Sequence, residues 1–236
     1  MNTSTTPFLK SIKFFSSLFL PAMVILSSCG KTDTTDTTIS YLRVTNTSPA
    51  LATYNVYLNG SPINSAALPY AGSLGYTSRA AETYTLKFTT GSSAESLLTK
   101  DVVLSQNTSY SFYLINKPGQ LDGLLIGDDL SVPSANKAYI RFINLSPDAP
   151  ALDLTKSATT TSYVTNKPFK TYSGFVAVDA GTYSLDVKDT STGSVKTTKT
   201  DAAFAAGYHY DIICGGLMAP ANDTERALNL QVITIK

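Results

Sequence analysis

Few side chains in this sequence could do chemistry. His209 is its only histidine, and Cys29 and Cys214 are its only cysteines. A Ser/His/Asp triad would have to be built around His209, and no Gly-x-Ser-x-Gly elbow exists to expose the serine. One histidine and one thiol fall short of the ligand set of a tetrahedral zinc site. Asp122, Asp128 and Asp129 in DGLLIGDD could gather around calcium, but the Asp-x-Asp-x-Asp loop that would complete its oxygen shell is missing. Those carboxylates are expected to form a solvated turn and strand end. The expectation is a protein that is not an enzyme and holds neither a cofactor nor a metal.

Cys29 has a chemistry of its own. Lys10 and Lys13 precede the apolar run FFSSLFLPAMVIL (14–26), which leads into Ser27-Ser28-Cys29-Gly30. Broken by Pro21, this run is too short for a bilayer core, which takes about 20 residues. It fits the apolar stretch of a cleaved export signal. Leu26-Ser27-Ser28-Cys29 resembles the bacterial lipobox, where small side chains admit a peptidase and the cysteine thiol takes the lipid. Residues 1–28 are therefore expected to be a lipoprotein signal peptide, cut between Ser28 and Cys29, with acyl chains such as palmitate on Cys29. Residues 29–38 then form a flexible tether, because GKTDTTDTT (30–38) has no apolar side chain to offset the entropy of ordering. Asp33-Thr34-Thr35 and Asp36-Thr37-Thr38 resemble the O-glycosylation sites of Bacteroidetes exported proteins, which makes Thr34 and Thr37 candidate acceptors. The expected address is an exported lipoprotein anchored in the bacterial membrane, most simply the outer membrane.

The rest of the chain repeats itself. Residues 41–49, YLRVTNTSP, return as YIRFINLSP at 139–147, 98 positions later. YTLKF (84–88) returns as YSLDV (183–187), and TSYSFYL (108–114) as AGYHYDI (206–212). A period near 100 suits a whole small domain. Within each copy apolar residues alternate: Tyr84, Leu86 and Phe88, then Tyr183, Leu185 and Val187. Strict alternation marks half-buried strands, and Asn59-Gly60 and Thr192-Gly193-Ser194 supply turns. No helical periodicity follows residue 30. The predicted fold is all-β: two tandem immunoglobulin-like antiparallel β-sandwich domains, at 39–130 and 138–236. The polar segment SVPSANK (131–137) reads as the linker, and each sandwich is expected to fold independently.

Strand parity assigns roles to the remaining residues. Cys214 falls with Tyr208, Tyr210 and Ile212 on a core face, which predicts an inert, buried thiol. His209 has the parity of Asp211, a strand face that is usually solvated or paired across strands. Arg43 and Arg141 sit in strands of apolar and Thr residues and need partners. Asp153 on the next strand is the expected partner of Arg141, with Asn55 as its counterpart in the first copy. Arg43, Asn46, Ser48 and Pro49 recur as Arg141, Asn144, Ser146 and Pro147. Asp148 follows Pro147, where it can cap its own turn. This recurring set is read as structural.

YIRFINLSPDAPALDL (139–154), GFVAVDAGTYSLDV (174–187) and AAFAAGYHYDIICGG (202–216) resemble the bacterial domain of unknown function 4397. Its members share an Arg-containing strand, a Ser-Pro-Asp-Ala-Pro turn, an Ala-Gly-Thr-Tyr hairpin and a Gly-Tyr strand. The likeness covers most of 138–216 and, more loosely, 40–116, where SPALATYN lacks the Asp and the second Pro. Where members often carry His, this chain has Asn46 and Asn144. The resemblance implies an exported, surface-associated protein without an established activity. Net charge of +1 and the absence of a Lys/Arg-rich run leave no footprint for nucleic acid. The expected function is a lipid-tethered, non-catalytic binding or adhesion module for glycan or protein, with an architectural envelope protein as the alternative and an enzyme third. Sugar-stacking faces would come from the 14 tyrosines, since there is no tryptophan.

Overall fold

The computed structural model describes residues 38–236. The expectations for the signal peptide, Ser28, Cys29, Thr34 and Thr37 lie outside the described residues. Every regular element among the described residues is a strand. The first half contains β1 (Ile39–Asn46), β2 (Tyr54–Leu58), β3 (Ser61–Pro62), β4 (Ser73–Ala80), β5 (Thr83–Thr90), β6 (Leu98–Val103), β7 (Ser109–Ile115) and β8 (Asp122–Asp128). The second contains β9 (Lys137–Asn144), β10 (Leu152–Lys156), β11 (Ser162–Lys167), β12 (Thr171–Tyr172), β13 (Val176–Asp179), β14 (Gly181–Asp189), β15 (Val195–Phe204), β16 (His209–Gly215) and β17 (Asn229–Thr234).

Each half is a sandwich of two sheets. In the first, β4-β1-β7-β8 faces β3-β2-β5-β6; in the second, β12-β9-β16-β17 faces β11-β10-β14-β15, with β13 pairing beside β12 on β9. The strand order corresponds position for position between the halves. Most pairs are antiparallel, but β1–β7 and β9–β16 run parallel, so each half joins its first strand to a late one. The turn chemistry is as expected. Asn59 (φ 48°) and Gly60 (φ 82°) both adopt the left-handed conformation that a two-residue hairpin loop requires.

Alternation fills the two cores. Leu42, Val44, Phe112 and Leu114 of the first inner sheet meet Val56, Leu86 and Phe88 of its partner. Ile140, Phe142, Ile212 and Cys214 likewise meet Leu154, Leu185 and Val187. Cys214 is thus in the core as expected, but Tyr208 is not: it precedes β16 and is half exposed. Neither core draws on the other half.

The opposite faces of the two inner sheets are covered as well, by each other. Tyr113, Ile115 and Ile126 from the first half pack against Ile143, Leu145 and Ile213 from the second, forming a third buried cluster. The described residues, 38–236, accordingly belong to one compact unit. The loop after β16 strengthens the join. Leu51 N donates to Thr224 O at 2.9 Å, Arg226 N to Pro49 O at 3.1 Å, and Lys117 pairs with Glu225 at 2.9 Å. Each half owns a core, yet each also leaves an apolar face that only the other half covers.

Candidate functional site

The seam between the inner sheets contains charge as well as hydrocarbon. Arg43 on β1 and Arg141 on β9 point away from their cores, because the neighbours that flank them in sequence point in. Both converge on Asp211 of β16. Arg141 Nε donates to Asp211 Oδ1 at 2.9 Å, its Nη2 lies 2.8 Å from the same oxygen, and Arg43 Nη2 pairs with Oδ2. Asp128, at the end of β8, lies 2.7 Å from Arg141 Nη1 and accepts from Ser111 Oγ at 2.8 Å and Tyr76 OH at 2.6 Å. Tyr113 OH donates to Asp211 and accepts from Arg43 Nη2 at 2.9 Å. The side chains of Arg43, Arg141, Asp128 and Asp211 are at most 3% exposed. Two cations and two anions cancel, as a dry site requires. Burial alone would lower the affinity of Arg141 for its proton, but Asp211 beside it wins and raises it. Burial first, and then Asp211, push the Tyr113 phenol well above its ordinary range.

These contacts correct two expectations. Arg141 does not pair with Asp153. Asp153 lies on the outward face of the outer sheet, where it accepts from Asn166 N at 2.8 Å and Thr190 Oγ1 at 2.6 Å. Nor is DGLLIGDD simply a solvated turn and strand end, for Asp128 is buried at the seam. Asp122 bridges Lys100 (2.8 Å) and Lys170 of the other half. Only Asp129 is exposed, held by Ser131 N at 3.1 Å.

Each arginine is capped by an aromatic ring that sequence reasoning missed. The β1–β4 register slips between Leu42 and Val44, opposite Gly75-Tyr76. On β9, Ser173, Gly174 and Phe175 interrupt the ladder between β12 and β13. Both are bulges, which turn a side chain out of the pleat. Tyr76 comes to lie 5.9 Å from the Arg43 guanidinium, and Phe175 4.7 Å from that of Arg141. The signal was present: Gly75-Tyr76 and Gly174-Phe175 stand 99 residues apart, within the same repeat.

Of the two readings of its strand face, His209 takes the paired one and is fully buried. It stacks on its cross-strand partner Tyr139 at 4.9 Å and meets the edge of Phe175 at 4.8 Å. Its Nε2 lies 3.0 Å from Ser131 O, which makes it the donor, and Nδ1 has no partner. Burial lowers its pKa, so the ring is neutral.

The recurring Asn-x-Ser-Pro phrase builds turns. Asn46 Oδ1 accepts from Ser48 N at 3.0 Å, and Asn144 Oδ1 from Ser146 N at 3.1 Å. Asp148 reaches beyond the turn it was expected to cap. Besides accepting from Ser146 Oγ, it takes Met218 N (2.9 Å) and Ala219 N (3.1 Å), tying down the loop after β16.

Beside the charge cluster opens a cleft of about 470 Å³. One wall is the segment between the halves. This segment is clamped: Leu130 O accepts from Lys236 Nζ at 3.0 Å, Ser131 O from His209, and Ser134 N donates to Tyr139 OH at 2.6 Å. The other wall is the bulge with Tyr172 and Phe175, and Arg141 lies at the floor. Arg141 is already neutralised by Asp128 and Asp211, and Asp129 is held ionised by hydrogen bonds from Ser131. Among the described residues no group of His, Cys, Asp and Glu could hold a metal ion, and no helix is long and apolar enough to cross a membrane. The cleft can offer hydroxyls, backbone and aromatic faces to a ligand.

A family model described as "Domain of unknown function (DUF4397)" matches residues 40–155. The motif pattern puts the fuller likeness at 138–216, whereas this match covers the first half and only the opening of the second. It supports the resemblance to that family. No curated protein matches the sequence. Among solved structures, the chain is similar to CBMbc (family CBM26) from Eubacterium rectale Amy13K, crystallised in complex with maltoheptaose. The identity is 11% over 83% of this chain and 95% of that one, with a TM-score of 0.25. A likeness that weak carries no inference about this chain.

Proposed function

We propose that this is an exported, lipid-anchored protein of the bacterial cell envelope, built from two tandem copies of one β-sandwich, and that it is a non-catalytic binding module. The carrying observation is the cleft at the seam. It combines an exposed tyrosine, a second aromatic ring and seryl hydroxyls with a charged floor whose ions are already satisfied. Such a set orients a ligand but leaves no group poised to transfer a proton near neutral pH: the one histidine sits behind Tyr139 and Phe175 with Nε2 engaged. Small-ligand sites are concave and mix apolar walls with a few polar groups, as here. The anchor rests on Leu26-Ser27-Ser28-Cys29 and the apolar run before it.

Two experiments test the reading. The chain without residues 1–29, applied to a glycan array and to envelope extract, is expected to retain a ligand. Ser134→Trp, which fills the cleft, is expected to abolish retention without lowering the unfolding midpoint. Retention untouched by Ser134→Trp would move the site elsewhere, and no retention by either route would favour an architectural role. Cys29→Ala is expected to abolish fatty-acid labelling of the full chain, and persistent labelling would refute the anchor.

A further inference from the structure

A second recess, of about 340 Å³, lies along β11 beside Tyr163, Thr165 and Lys167. It shares Tyr172, Ser173, Gly174 and Phe175 with the cleft. The two are therefore one groove crossing a saddle, and the saddle is the bulge that caps Arg141. Resting on the reading of the cleft as a ligand site, we infer that the groove takes a linear, uncharged oligosaccharide, with sugar units on both sides of Tyr172.

Four features select that ligand. Tyr172 is 42% exposed and its side chain has no hydrogen-bond or ring partner among the described residues, so its face is available for the apolar face of a pyranose. Gly174 has nothing within 4 Å of where a Cβ would stand, which lets a chain lie close on the backbone of the saddle. Hydroxyls line the course on both sides, from Ser131 and Ser134 to Thr165. Free charge is sparse and of opposite sign at the two ends, Asp129 in one recess and Lys167 in the other. A polyanion would meet Asp129 and a polycation Lys167, whereas a neutral polyhydroxylated chain meets hydroxyls throughout. A peptide would instead be expected to add a strand to the sheet edge formed by β12 and β13. That edge is broken by the bulge at 173–175, a feature that blunts strand addition.

The test is calorimetric titration of the protein with linear oligosaccharides of glucose, mannose, xylose and N-acetylglucosamine, from disaccharide to hexasaccharide. Affinity for one series is expected to rise with length as both recesses fill. Tyr172→Ala should weaken the longest chain by about tenfold or more, equivalent to about 1.4 kcal/mol, and Tyr172→Phe should retain it. A Cβ at position 174 meets nothing within 4 Å, so Gly174→Leu should leave the unfolding midpoint unchanged while blocking passage over the saddle. It should then reduce the hexasaccharide to the affinity of the disaccharide. Binding that does not grow with length and survives both Tyr172→Ala and Gly174→Leu, yet is lost in Ser134→Trp, would overturn the groove and leave the cleft as a small-ligand site. No binding across the four series overturns the glycan assignment. Cleft-dependent capture of an envelope protein would then replace it.

Discussion

Asn in place of Asp211 removes one negative charge from the middle of the seam and preserves the size of the side chain. Asp211 accepts from Arg43, from Arg141 through two nitrogens, and from Tyr113. With Asn there, Arg43 and Arg141 would face Asp128 alone, leaving one uncompensated positive charge in a site at most 3% exposed. Hydrogen bonds to charged groups contribute ~1.5–3 kcal/mol each, but those in one network do not add. Breaking a buried pair by removing one partner costs about 3–5 kcal/mol. At roughly 2–4 °C per kcal/mol for a chain of this size, Tm should fall by about 6–20 °C. Differential scanning calorimetry and urea unfolding at neutral pH measure this. Arg43→Met in the Asp211→Asn background restores neutrality and should recover part of the loss. Asp179→Asn, at an exposed ion pair with Lys137, should leave the midpoint unchanged. A loss below about 1 kcal/mol for Asp211→Asn, the scale of a surface pair, would refute the seam as a dry, charge-balanced site.

Burial pushes the Cys214 thiol up to about 12, so maleimide should label the native chain lacking residues 1–29 only after denaturation. Cys214→Ala should cost on the order of 1 kcal/mol in urea unfolding. His209 has a folded pKa below its ordinary 6.5, so the unfolded state takes up a proton first as pH falls. Stability should therefore decline from about pH 6.5 downward, and urea midpoints of His209→Gln should lack that part of the slope. Expressed alone, residues 138–236 would expose Ile143, Leu145 and Ile213, each worth ~1.5–3 kcal/mol when buried. Self-association in size-exclusion chromatography is expected. A stable monomer with dispersed amide resonances would instead restore the independence that the repeat suggests. In the full chain, the clamped segment 131–137 should resist limited proteolysis.

Alternation made the strands legible. Tyr84, Leu86 and Phe88, like Leu185 and Val187, are in the cores where their period places them. The repeat also announced the shared strand order, and Asn46 and Asn144 announced equivalent turns. The parallel pairings β1–β7 and β9–β16 were not legible, since periodicity identifies a strand without naming its neighbour. Nor was the fate of His209, Asp211 and Asp128. Period two shows which residues share a face; it does not show what covers that face. Polar residues on alternate positions read as solvated, and here the cover is another sheet of the same chain.

By itself the sequence determined the all-β class, the repeating unit, the buried thiol and the Asn-x-Ser-Pro turns. Each of these depends on neighbours within a few residues or on a pattern written along one strand. Only the tertiary structure decided that Arg141 pairs with Asp128 and Asp211 rather than Asp153, that the halves share an apolar seam, and that a cleft opens over the bulge at Ser173–Phe175. Arg43 and Asp211 are 168 positions apart, and Asp128 and Arg141, though near in sequence, stand on different sheets. Their attraction becomes strong only after two faces that each look solvated have excluded water from between them, and no local pattern encodes that exclusion.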